Sequence, residues 1–275
     1  MPVHPTAIVA KGAQLGSDVE IGPYCMVGAQ VRLGNGTVLH PHAVVDGDTH
    51  LGEECQVFPF ACIGTLPQDK KITRDSPQGR LRIGHRNILR EYVTVNGGTA
   101  HGEGVTTIGD DNMLLIGSHV GHDATIGSRV VLTNGSMIAG HALIGDRVIM
   151  GAMVGLHQFA RVGQGAMVGA GARVSRDVPP FSLVHGDRAR LVGVNLIGLK
   201  RSGFTTEQMA LVKRTFRLLF WRSGTLADRM EQARNFVGDD PIGRLIVDFV
   251  AESRRGVVAP RGGPGPAIES GLDEG

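Results

Sequence analysis

Aliphatic residues recur at every sixth position of this chain, and that period excludes most of the folds open to it. Val9, Leu15, Ile21, Val27, Leu33, Leu39, Val45, Leu51, Val57 and Ile63 follow one another without a miss. The phase resumes at Ile83, Leu89 and Val95. It resumes again at Ile108 and runs through Leu114, Val120, Ile126, Leu132, Ile138, Ile144, Met150, Leu156, Val162 and Val168 to Val174. A six-residue period fits neither a 3.6-residue helix nor a two-residue strand alternation over its whole length, so each hexad reads as a short strand plus a turn. Three hexads close one triangular coil, and about eight coils stacked at ~4.8 Å predict a prism roughly 40 Å long. Two positions before the aliphatic residue the side chain is often small or β-branched, as at Ala13, Val19, Cys25, Val31, Thr37 and Ala43. A glycine often follows it, as at Gly16, Gly22, Gly28, Gly34 and Gly52, where a backbone turning through positive φ is expected.

Composition agrees with a narrow interior: there are 41 glycines, and aromatic residues make up only 4% of the chain. No apolar run reaches about 18 residues, so neither a leader nor a membrane span is expected, and the location reads as cytoplasmic without stable membrane insertion. Cys25, Cys55 and Cys62 lack metal-site spacing and read as small, reduced core residues. A net charge of +2 gives no reason to expect a nucleic-acid partner. The repeat resembles the hexapeptide-repeat acyltransferases, which implies an all-β solenoid, a left-handed parallel β-helix, over residues 1–190. The breaks in phase, 65–82 and 96–107, read as loops extruded from the coils and as candidate site walls. Beyond Pro179-Pro180 helix signals take over: Thr205 or Thr206, Thr225 and Asp240-Pro241 can each open a helix. A C-terminal helical domain is therefore expected over 191–255, and a disordered Pro/Gly-rich tail over 256–275.

The densest titratable cluster within the repeat is Ser118-His119-Val120-Gly121-His122-Asp123. With eighteen residues per coil, Gly140 and His141 fall one strand spacing from His122, and His157 falls near the same edge one coil further on. A neutral imidazole is suited to removing a proton from a hydroxyl near pH 7, and an adjacent carboxylate fixes its tautomer. A free Gly140 N–H can stabilise an oxyanion. Zinc held by stacked histidines is the rival reading of the same cluster. Isolated histidines such as His4, His85 and His101 read as ordinary surface residues.

Further stretches carry a closer resemblance: His4-Pro5-Thr6-Ala7-Ile8-Val9, Gln68-Asp69-Lys70-Lys71, His119-Val120-Gly121-His122-Asp123, Ala139-Gly140-His141, His157-Gln158-Phe159, Asp177-Val178-Pro179-Pro180 and Gly193-Val194-Asn195. With Gly198-Leu199-Lys200-Arg201-Ser202-Gly203-Phe204 they are similar to the UDP-N-acetylglucosamine O-acyltransferase family over nearly the whole chain. That resemblance implies an enzyme transferring a 3-hydroxyacyl group from acyl carrier protein to the 3-hydroxyl of UDP-N-acetylglucosamine, the first step of lipid A biosynthesis. It implies a homotrimer with sites between subunits and no metal or organic cofactor. His122 would be the general base, Asp123 its orienting partner and Gly140 the oxyanion donor. Asp69, Lys71, His119, His141, His157, Gln158 and Asn195 would line the substrate pocket, with Arg201 facing phosphates. Met167, Ala170 and Ala172 would set acyl length, with a lean to about ten to twelve carbons. Lys200, Arg201, Lys213, Arg214, Arg217 and Arg222, set against the single acid Glu207, offer a basic surface to an acidic carrier protein.

Three departures stand out: Ile197 where the family often has an acid, Ser202 where it has a second arginine, and Asn96-Gly97-Gly98-Thr99, which lacks an arginine. They leave open transfer to a 3-amino sugar nucleotide, giving an amide. A later N-acyltransferase of the same pathway, which carries a uridine-binding domain ahead of its coils, a zinc carbonic anhydrase and a non-catalytic binding protein are the other rivals.

Overall fold

In a computed structural model of the chain, which describes residues 3–73, 75–77 and 79–260, the hexads form a left-handed parallel β-helix. Three flat sheets of nine, eight and ten strands make the walls of a triangular prism, and the chain visits them in rotation. Neighbouring strands are mostly one coil apart, so Val27 pairs with Val9 and Val45, and Ile138 with Val120 and Leu156. Nearly every aliphatic residue of the repeat points inward and is buried; only Val9 and Leu15, in the first coil, are not. Cys25 and Cys55 are fully buried among them, whereas Cys62 is partly exposed.

The corners differ from the expectation drawn from the glycines. Among the described residues, fifteen non-glycine residues have φ between 53° and 64°, and each lies three positions after an inward-pointing residue: Asp18, Tyr24, His42 and Glu54 begin the series and Asp123, His141 and Phe159 continue it. Most of the glycines directly after the aliphatic residues have no such φ; Gly64 is the exception. They are small for a different reason. A Cβ on Gly34 would lie 2.5 Å from the Gly52 carbonyl carbon, and one on Gly52 2.6 Å from that of Gly84. These columns of glycine let successive coils close to strand-pairing distance where the wall bends.

Both breaks in phase are excursions from the coils, shorter than the repeat alone suggests. Strands at Cys62–Thr65 and Arg80–Ile83 bound the first, and strands at Thr94–Asn96 and Val105–Ile108 bound the second. The intervening segments are 66–79 and 97–104.

After a final antiparallel pair, Ser182–His185 with Arg190–Val194, the chain becomes helical. Helix α1 (Leu196–Arg201) is capped by Asn195, a start the sequence reading did not anticipate. Helix α2 (Thr206–Phe220) starts at Thr205 and α3 (Leu226–Val237) at Thr225, each with a capping box; α4 (Pro241–Ala251) starts at Asp240 with proline in its first turn. The helices bury Val212, Phe216, Leu219, Ala233 and Ile246 against one another and cover the end of the prism. Asp177, 2% exposed, fastens this end: its carboxylate accepts from the Arg161 amide and guanidinium and from Ser253 Oγ. The expected disordered tail needs correction at its start. Gly256 O accepts from Asp177 N, Val258 N donates to Asp177 O, and Leu191 N donates to Ala259 O, so residues 256–260 form part of this end. Residues 261–275 lie outside the described residues.

Candidate active site

The nine-stranded sheet carries a column of outward-facing residues, Thr94, His119, Met137, Gly155 and Arg173, each in register with the next. A Cβ on Gly155 would meet nothing within 4 Å, so the column dips there. A cavity of about 1310 Å³ runs along this face. Gln68, Asn96, His119 and His122 line its polar end, Met137, Ala139 and Gly155 its apolar middle, where the inward-pointing Ile138, Leu156 and Val174 offer only backbone, and Arg173, Arg176, Arg188 and Arg190 its far end.

At the corner beside this sheet, His122 Nδ1 lies 2.8 Å from Asp123 Oδ2. That contact leaves Nε2 directed toward the cavity. The Asp123 carboxylate is buried and heavily hydrogen-bonded: Thr99 donates from its amide to both oxygens and from Oγ1 to Oδ2 at 2.7 Å, and the Gly104 amide donates to Oδ1 at 3.0 Å. Burial alone pushes this acid up, but the bonds from Thr99 and His122 prevail and hold it below the usual carboxylate range. It is therefore an anion at neutral pH, able to orient an imidazole and to stabilise its cation. The His122, Asp123 and His141 donor atoms all lie within 4.8 Å of one another, a spacing compatible with a metal ion. The carboxylate's lone pairs, however, are already committed to four N–H and O–H donors of the protein itself, which argues against a metal ligand.

The coil arithmetic places the next rung well. Gly140 packs on the His122 ring so closely that a Cβ there would lie 2.8 Å from Nε2, and among the described residues its N–H has no acceptor. His141 meets His122 edge-on at 5.1 Å and stacks on Phe159 at 4.6 Å. His119 Nδ1 is 2.8 Å from Thr94 Oγ1; burial, and then the charge of His122, lower its pKa, so it stays neutral and can offer a hydrogen bond. His157 and Gln158 line the cavity two coils beyond His119.

Other expected site residues fall elsewhere. Gln68, rather than Asp69 or Lys71, lines the cavity. Asn195 is bonded to Gly165 O and caps α1, so it stands at a different corner, and neither it nor Arg201 reaches this cavity in one protomer. The acyl-length assignment fails at Ala172, which is fully buried inside the prism: it occupies the small position two before Val174, and an inward side chain cannot line a groove. Met167 sits on the outer face of the ten-stranded sheet and Ala170 at the following corner, away from the cavity of this protomer. The sequence reading missed Thr94, Asn96, Thr99 and the four arginines. Register with His119 identifies Thr94 once the second excursion is subtracted; the excursions themselves carry no period that would reveal Thr99 or Asn96.

Comparison with known proteins bears on this geometry. Residues 177–258 match the family described as UDP N-acetylglucosamine O-acyltransferase, domain 2, and residues 12–47 and 106–140 match the bacterial transferase hexapeptide repeats. The chain is 42% identical over 261 residues to an acyl-(acyl-carrier-protein)–UDP-N-acetylglucosamine O-acyltransferase of Paraburkholderia phymatum, covering 93% of this chain and 98% of that protein. It is 40% identical to the same enzyme of Thiobacillus denitrificans, with the same coverage of both chains. The crystal structure of the Francisella novicida UDP-N-acetylglucosamine acyltransferase superposes with a TM-score of 0.91 at 34% identity, over 94% of this chain and 95% of that one.

Proposed function

The chain belongs to the acyl-carrier-protein-dependent UDP-N-acetylglucosamine O-acyltransferase family, and from that premise we propose how its residues carry out the transfer. It is an acyltransferase that moves an acyl group from acyl carrier protein to UDP-N-acetylglucosamine, in lipid A biosynthesis. The finer assignment is a 3-hydroxyacyl donor and the 3-hydroxyl of the sugar. His122 Nε2 removes the proton of that hydroxyl, and the oxygen attacks the thioester carbonyl. The tetrahedral oxyanion takes a hydrogen bond from the Gly140 N–H, which has no other acceptor. Collapse breaks the C–S bond, and the departing thiolate takes back the proton from the His122 imidazolium, which Asp123 has stabilised meanwhile. His119, neutral and anchored on Thr94, offers its second ring nitrogen to the acceptor.

One observation carries this reading: the His122–Asp123 pair, 2.8 Å apart, faces a groove that is polar at one end and apolar in its middle, as a sugar acceptor and an acyl donor require. Asn195 and Arg201 lie off the groove of their own protomer, which supports sites completed by a neighbouring subunit and hence a homotrimer. The exposed cations Lys200, Arg201, Lys213, Arg217 and Arg222 supply a surface for an acidic carrier protein. Arg214 is partly committed, with its guanidinium 4.3 Å from the Phe236 ring. Among the described residues no helix is long and apolar enough to cross a membrane. The test is mass spectrometry of UDP-N-acetylglucosamine incubated with 3-hydroxyacyl carrier proteins of graded length. A mono-acylated product from the native chain is expected. The His122→Ala variant should keep its oligomeric state and Tm yet lose about three orders of magnitude or more in kcat; comparable turnover in that variant would overturn the mechanism.

A further inference from the structure

Two excursions leave the solenoid near the active site, and the contacts between them are unequal. The bases of the first excursion are fixed by bonds to backbone carbonyls: Asn96 Nδ2 donates to Leu66 O at 3.0 Å, Gly98 N to Arg80 O at 3.0 Å, and Gly79 N to Gly98 O at 3.1 Å. The stretch around Asp69 is held otherwise. Asp69 Oδ1 accepts from the Lys71 amide at 2.9 Å, and Oδ2 lies 3.0 Å from His101 Nε2 of the second excursion. Those two bonds keep the Asp69 carboxyl below its usual range, the amide more than the imidazole. Gln68, the next residue back, lines the polar end of the groove.

The second excursion is in turn built around the reacting corner. Thr99 and Gly104 donate to Asp123, and a Cβ on Gly102 would lie 2.5 Å from Asp123 Oδ2, so this segment has little freedom to shift. His101 projects from a segment whose position is set by the Asp123 carboxylate. We propose that His101 is a positioning residue for the acceptor: by holding Asp69 it fixes the opening stretch of the first excursion, and Gln68 with it, over the sugar end of the groove, in register with His122. The proposal rests on the acyl-transfer reading and adds a specificity element to it. His101 touches no reacting atom; it transmits the placement of the general-base pair to the wall that receives the sugar.

The experiment is calorimetric binding of UDP-N-acetylglucosamine to the full chain, followed by steady-state kinetics, for the native protein, His101→Ala and His101→Gln, with Tm recorded for each. In His101→Ala, the acceptor Kd and KM should rise about three- to fivefold, as loss of an exposed charge-assisted hydrogen bond predicts. Its kcat and its KM for the acyl carrier protein should stay within about twofold. Glutamine, which can still donate to the carboxylate, should recover most of the loss. Unchanged acceptor affinity in His101→Ala at unchanged Tm would overturn the proposal, as would a loss that falls on kcat alone. Acceptor binding by the native chain without turnover would instead strike the acyl-transfer reading and leave the binding comparison to decide the role of His101.

Discussion

Two corners of the prism use the same backbone slot for opposite ends. At the corner joining the ten-stranded to the nine-stranded sheet, Tyr24, His42, Phe60 and Tyr92 all sit near φ 60° and stack at 5.0 to 5.3 Å, one per rung, with all four residues exposed. At the corner joining the nine-stranded to the eight-stranded sheet, Asp123, His141 and Phe159 occupy the equivalent slot with nearly the same φ and spacing. Yet Asp123 is 2% exposed and Tyr92 59%. The repeat supplies the slot at both corners; the second excursion, folded over one of them, turns it into a site. Burial without donors would drive a carboxylate to its neutral form, so Thr99 and His122, with the Gly104 amide beside them, make an anion tolerable there.

The sharpest break of this comparison is to remove the charge. Asp123→Asn keeps the shape and is expected to lower kcat by about 10³ to 10⁴, because the wrong imidazole tautomer is favoured, whereas Tyr92→Ala should leave kcat within about twofold; steady-state assays of the two variants test the contrast. Next in size, Thr99→Val removes one hydroxyl bond to the carboxylate and should lower kcat about tenfold, with binding of the sugar nucleotide nearly unchanged by calorimetry. Replacing His119 by Gln tests buried titration. The native pKa of His119 is depressed, so the stability it contributes is complete above about pH 6.5 and is lost as pH falls below that. The fall in Tm between pH 7.5 and 5.5 should therefore be smaller in the variant than in the native protein. The depressed Asp123 acts with the same sign, but only below about pH 4. The smallest effect belongs to the exposed stack: Phe60→Ala breaks two ring contacts worth at most about 1 kcal/mol each in a wet setting and should shift Tm by only a few degrees in a melting curve.

The solenoid was legible because its signal is periodic and each residue's side follows from its place in the hexad. The same rule sets Gly140 beside His122 and points Ala172 into the prism, against the groove position that the family resemblance implies for it. Thr99, Asn96 and the His101–Asp69 pair were not legible, since they meet through excursions whose course is set by three-dimensional contacts and not by spacing. The glycines were read correctly as necessary and wrongly as to cause: φ > 0 falls three positions after the aliphatic residue, where Asp, His, Arg and aromatic residues tolerate it, while coil-to-coil clearance selects glycine directly after it.

The two ends of the prism are unlike. The helices and residues 256–260 close one, but the first coil leaves Ile8 64% and Leu15 38% exposed, and among the described residues their strands pair on one side only. In a stack where each rung is held by the rungs beside it, fluctuational opening starts where one neighbour is missing and must proceed in order. Amide protons around Ile8 to Leu15 should exchange with solvent first, and protection should climb toward the sixth strand of the nine-stranded sheet, which carries His119. The His122–Asp123 corner thus sits several rungs behind a sacrificial end, and the first coil can breathe many times over while that pair stays joined.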